Sequence, residues 1–215
     1  SFNGPRRKWG RKVKTFVGRM VAEHYDVPLH NFARGGRGNR RICDTSKIWF
    51  EANPHRKKDT LAIIQWSSSN RRDYPTNDGY KPMSGYSTTW RSWGTHEQLR
   101  FIQSLEGFDI DQDHSLMQLN AILDLQNYFK IHGITYVMYF GLIPQINVSY
   151  PDHKILYNAI DWTKFYNSKT NHYDFVKQNN LQISKRDEHP SIKGHEEWAK
   201  GLIKYMDNAI IGNSN

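Results

Sequence analysis

The chain has 215 residues, 37% of them hydrophobic and 13% aromatic, enough for one ordinary domain with a real core and too apolar for a disordered chain. Its longest apolar run, around residues 136–144, is too short to cross a bilayer, and no secretory leader is visible. The formal net charge of +9 lies entirely within residues 1–41, which carry eleven Lys/Arg against Glu23 and Asp26, while the other 174 residues balance at nineteen of each sign.

That basic stretch, at its densest over 5–41, is a local feature. It suits a polyanion or an acidic protein face, or else it is a solvated helix face. No nucleic-acid motif accompanies it. The single cysteine, Cys43, excludes an internal disulfide and a cysteine-rich zinc site. It fits a reducing compartment and is expected to be an inert buried thiol.

In chain order, residues 6–25 read as a helix with Trp9, Val13, Phe16, Val17, Met20 and Val21 on one side. Pro28 interrupts it, and LHNFA (29–33) reads as a short strand. GGRGN (35–39) is a glycine-rich turn, followed by a helix over 40–52. TLAIIQWS (60–67) is a continuous apolar strand of the kind buried on both faces of a parallel sheet. Residues 71–94 are polar and aromatic, with Pro75, Gly79, Pro82 and Gly85, and read as an insertion or lid. Helical patterns follow at 95–106 and 113–132, and ITYVMYFGL (134–142) is a second buried strand. Residues 145–184 read as irregular, with room for a short strand or helix, and the last helix spans 192–210. Helix alternating with apolar strand implies an α/β layered fold with a parallel sheet, in one domain over 1–215 without repeats.

In such sheets, sites form at the carboxyl ends of the strands. Three loops converge there in this reading: Gly35-Gly36-Arg37-Gly38-Asn39, Ser67-Ser68-Ser69-Asn70-Arg71, and Asp187-Glu188-His189-Pro190. An acid two residues before a histidine is the outline of a base and its orienting group.

The block DEHPSIKGHEEWA (187–199) resembles the last conserved block of the SGNH (GDSL-type) serine hydrolases. HNFARGGRGNRRI (30–42) resembles that family's second block, and SFNGPRRKWGRKV (1–13) resembles the part of the first block that begins at the nucleophile. Ser-Phe-x-Gly followed by Trp is close to the pattern of phage-encoded members. The resemblance implies a three-layer α/β/α sandwich with a mostly parallel, flavodoxin-like sheet whose first strand lies upstream of residue 1. It implies Ser1 as nucleophile, His189 as general base and Asp187 as its orienter. The oxyanion would take the backbone N–H groups of Ser1 and Gly36 and a side chain from the third loop. The family's third block carries Gly-x-Asn, which is missing here; Asn70 is the first choice of donor and Ser68 the second. No metal or organic cofactor is implied.

The family's nucleophile follows directly on a strand, whereas this chain begins at the serine. Sequence upstream of Ser1 is the expected reason. A mature N-terminal serine using its own α-amine as base is the alternative, and it fits the Asp-x-His loop less well. The aromatics Tyr74, Tyr80, Tyr86, Trp90 and Trp93 either stack on sugar rings or pack the insertion onto the body. His195 reads as structural. Asp109-x-Asp111-x-Asp113 lacks the sixth-position glycine and twelfth-position acid of a calcium loop. The expected function is ester hydrolysis, with O-acetyl groups on a polysaccharide as one substrate. The rival is a non-catalytic structural or adhesion module, for instance of a virus particle among other virion proteins, that docks through the basic stretch. The address stays open between virion and cytoplasm.

Overall fold

The computed structural model describes residues 16–69, 71–76, 79–84, 110–144 and 146–211. They form a mixed α/β structure built on a two-stranded parallel sheet. The elements are α1 (Val17–His24), α2 (Asn39–Ala52), β1 (Leu61–Trp66), β2 (Arg71–Thr76), β3 (Gly79–Ser84), α3 (Ile110–Ile131), β4 (Thr135–Phe140), α4 (Pro151–Ala159), α5 (His172–Gln178) and α6 (Ile192–Met206). Among the described residues no helix is long and apolar enough to cross a membrane.

Strands β1 and β4 are the two apolar runs read from the sequence, paired in parallel from Leu61↔Thr135 to Trp66↔Phe140. Beyond β4, Phe165 forms a parallel bridge to Met138, and the Tyr166 N–H donates to the Met138 carbonyl at 2.9 Å. β4 is therefore hydrogen-bonded on both edges. It is buried from Tyr136 to Phe140, which is why its sequence is apolar without alternation.

Side chains of a strand alternate between faces, and the core divides accordingly. Ala62, Ile64 and Trp66 of β1 and Tyr136, Met138 and Phe140 of β4 pack with Cys43 and Phe50 of α2 and with Leu119, Ile122, Leu125 and Phe129 of α3. The opposite set, Leu61, Ile63, Val137 and Tyr139, packs with Val17 and Val21 of α1 and with Trp198, Ala199, Leu202 and Met206 of α6. Both helical sets recur every three or four residues, one stripe of an α-helix. Helix α3 ends in a Schellman motif: Gly133 takes a φ of +63°, and the Ile134 N–H reaches back to the Phe129 carbonyl at 2.9 Å. The reversal feeds the chain straight into β4.

One expectation is corrected. Residues 29–33 are not a strand. The Asn31 side chain accepts the Ala33 N–H at 3.0 Å, an Asx turn that competes with a ladder, and Phe32 folds onto Trp49 with ring centroids 5.8 Å apart. Residues 145–184, read as irregular with room for a short strand or helix, hold two short helices, α4, with Pro151 in its first turn, and α5, capped by Asn171 accepting from the Asp174 N–H. Within 71–94, β2 and β3 form an antiparallel hairpin paired from Arg71↔Ser84 to Thr76↔Gly79. Residues 6–15 and 85–106 lie outside the described residues, so those parts of the first helix, the insertion and the 95–106 helix do too. Cys43 is fully buried, and burial pushes its thiol up to about 12, as suits an inert side chain.

On the α6 side of the sheet, the buried His172 ring stacks on Trp198 at 4.9 Å and lies 5.3 Å from the His195 ring. His195 is thus a packing residue. Burial lowers His172 to about 3 and His195 to about 4, from an ordinary 6.5. Between about 4 and 6.5 the unfolded chain therefore binds more protons than the folded one, and stability falls as pH falls through that window. Above it the two rings contribute no pH dependence. Urea-unfolding midpoints measured across this range are expected to drop steadily on acidification, and His172→Phe, which keeps the stack on Trp198, should flatten the slope.

Candidate active site

The Asp187–His189 turn is built by short-range chemistry. Ser191 caps α6, its side chain accepting the Gly194 N–H at 3.1 Å. The Ser191 hydroxyl and N–H both donate to the Leu181 carbonyl, at 2.6 and 2.9 Å. A Cβ on Gly194 would stand 2.8 Å from that same carbonyl oxygen, so the close seating of the helix start requires glycine here. The Ile183 N–H donates to the His189 carbonyl at 2.9 Å, and Ser184 and Asp187 exchange backbone bonds at 3.1 and 3.2 Å. At the tip, the His189 Nδ1 lies 2.7 Å from Asp187 Oδ1, and the His189 N–H donates to the same oxygen at 3.2 Å. These two bonds hold the Asp187 carboxyl below the usual range.

The glycine loop is held from elsewhere in the chain. Gly36 has a φ of +76°, a conformation L side chains rarely adopt, and nothing stands within 4 Å of where its Cβ would be. The backbone there is open to a ligand. Gly38 precedes α2 without a side-chain cap of its own, and its N–H donates instead to Asp73 Oδ2 of β2 at 2.6 Å. The Asp73 side chain is fully buried and also meets Arg37 at 3.5 Å and Arg41 at 3.7 Å. Next to Gly38, Asn39 clasps the end of β1: its Oδ1 accepts the Ser67 N–H at 2.8 Å, and its Nδ2 donates to the Ser67 and Ser68 carbonyls at 3.2 and 3.5 Å.

A continuous set of bonds then crosses the carboxyl edge of the sheet. The Gly141 N–H, just past β4, donates to the Trp66 carbonyl at the end of β1 at 2.8 Å, and the Tyr173 N–H of α5 donates to the Gly141 carbonyl at 3.2 Å. The Tyr173 hydroxyl donates to Glu188, the residue between Asp187 and His189. The Gly36 loop, Ser68 and the Asp187–His189 turn are thus all fastened to one edge of the parallel pair. Ser1, Asn70, Tyr86, Trp90 and Trp93 lie outside the described residues. The backbones of Tyr74 and Tyr80 fall on β2 and β3. Asp111 and Asp113 stand in the opening turn of α3 rather than in a loop, and Asp109 lies outside the described residues.

Asn39 and Asp73 are site residues that the sequence reading missed. Their partners are 28 and 35 residues away, and no local pattern marks them. Asp73→Ala removes a buried carboxylate from two arginines and the Gly38 N–H, and it is expected to cost about 2–4 kcal/mol. Urea denaturation measures this; a change below about 0.5 kcal/mol, the level of an ordinary surface substitution, would contradict the role.

No family model, curated protein or solved structure matches the chain.

Proposed function

We infer that the chain is an SGNH-type serine hydrolase that cleaves an ester, with O-acetyl groups of a polysaccharide as the substrate in view. The observation that supports this reading is the 2.7 Å Asp187–His189 contact on a turn fastened to the carboxyl edge of a parallel β pair. In this reading the pair belongs to a mostly parallel sheet in a three-layer sandwich, and the aromatic-rich hairpin region is the substrate-side insertion.

With Nδ1 donating to Asp187, the His189 Nε2 keeps its lone pair and serves as the base. It takes the Ser1 hydroxyl proton as Oγ bonds to the ester carbonyl carbon. The resulting oxyanion is met by the N–H groups of Ser1 and Gly36 and by Asn70 or Ser68, each such donor being worth roughly 3 kcal/mol. The imidazolium returns its proton to the leaving alkoxide, and the acyl-enzyme forms. Water then enters by the same route, and the carboxylic acid leaves. The scheme uses no metal or organic cofactor. Turnover of p-nitrophenyl acetate and of acetylated sugars by the full-length polypeptide, compared with its Ser1→Ala variant, tests it.

One observation favours the second reading, a non-catalytic structural or adhesion module. The side chains of Asp187 and His189 are 44% and 64% exposed, whereas a triad acid works best shielded from water. A folded full-length protein without Ser1-dependent turnover selects this reading.

In either case the basic stretch is the docking surface for a polyanion or an acidic protein face. Arg37 and Arg41 pair with Asp73, and Arg40 pairs with Asp44 and Asp124, so these three are engaged within the chain. The docking role then falls to the other eight, among which Arg6, Arg7, Lys8, Arg11 and Lys12 are the densest group. Heparin binding should weaken steeply with salt and vanish when these five become Glu.

A further inference from the structure

We propose that Tyr173 is a positioning residue for the Asp187–His189 turn, acting through Glu188. The bonds inside the turn, between Ser184 and Asp187 and between Asp187 and His189, set its shape. They and the Ile183–His189 and Ser191–Leu181 bonds beside it do not tie its tip to the end of β4. Tyr173 does, because it is bonded at both ends: its N–H to the Gly141 carbonyl just past β4, and its hydroxyl to the Glu188 carboxylate.

The residue it holds stands between the acid and the histidine, so fixing the Glu188 side chain limits the backbone on both sides of it. Tyr173 is itself anchored, since α5 buries His172 and Val176 and carries the Asn171 cap. The hydroxyl-to-carboxylate bond is charge-assisted, which makes it stronger than a neutral one. Glu188 is correspondingly held below the usual carboxylate range, by Tyr173 first and Lys177 second. The Lys177 contact meets the same half-exposed carboxylate from a longer distance. At 3.3 Å, with side chains 54% and 49% exposed, it is a solvated surface pair of small worth.

The catalytic consequence rests on the hydrolase reading; the geometric one does not, and two readouts separate them. The first is ester hydrolysis by the full-length protein. The second is the NMR titration of the Asp187 carboxyl, which needs no activity. Tyr173→Phe is expected to lower kcat roughly fivefold with KM unchanged, the equivalent of one net hydrogen bond of about 1 kcal/mol. It should also move the Asp187 titration up toward the ordinary range, because the His189 contact is made less of the time. Glu188→Ala should do the same. Glu188→Gln, which keeps an oxygen for the tyrosine hydroxyl, should restore both, and Lys177→Ala should leave both unchanged. An unchanged Asp187 titration in Tyr173→Phe overturns the proposal, and so does a Lys177→Ala effect equal to that of Tyr173→Phe. If the parent protein hydrolyses no ester, the hydrolase reading fails, and the Asp187 titration alone decides the positioning role.

Discussion

His189→Ala is expected to lower turnover of a short-chain activated ester by about four orders of magnitude, with Ser1→Ala matching it and the double variant no worse. Non-additivity is the informative part. A nucleophile and its base act as one unit, so removing either disables both. Asp187→Asn should cost less. The acid is 44% exposed, so water can take over part of the work of orienting the imidazole. His189 holds the Asp187 carboxyl below its usual range, so the acid stays charged at neutral pH beside the ring.

Trp198→Ala is expected to be the most damaging core substitution, at about 3–5 kcal/mol. The indole is fully buried on α6 and lies within 4.9–5.7 Å, centroid to centroid, of Tyr166, His172, Phe175 and Tyr139. It thereby joins α6 to α5, to β4 and to the segment after Phe165. Its Nε1 has no hydrogen-bond partner among the described residues, so the loss is one of packing and cavity volume. Set against a typical domain stability of about 5–15 kcal/mol, this is enough to leave a marginal protein partly unfolded. Urea midpoints measure it. Trp198→Phe should recover most of the loss, and a Trp198→Ala cost below about 1 kcal/mol would show that α6 is held by other contacts.

The contrast between legible and illegible parts follows from the range of the interactions. β4 announces itself because a strand buried on both faces must be apolar throughout. β1 is nearly as apolar, but only Ala62, Ile64 and Trp66 are buried there and Gln65 is exposed, so it is not buried on both faces as its sequence suggested. α6 is legible because its stripe of Trp198, Leu202 and Met206 recurs at helical spacing. LHNFA has the composition of a strand, but the Asn31 side chain offers its backbone a turn instead. In residues 145–184 the aromatics are scattered over short helices, and the better signals were Pro151 and the Asn171 cap. The acid–histidine pair of the site was readable because two residues of separation are a local fact. Asn39, Asp73 and Tyr173 were not, because each acts on a partner that only the folded chain brings near.

The most direct measurement for the central claim is covalent capture of the nucleophile. A fluorophosphonate bonds through phosphorus to a serine oxygen and expels fluoride, and it does so rapidly only where a base removes the hydroxyl proton. Peptide mass spectrometry of the labelled, folded, full-length protein should find one adduct, on Ser1. The adduct should be lost on unfolding in urea and in the His189→Ala variant. An unlabelled Ser1 in folded protein, or labelling that persists without His189, would contradict the account.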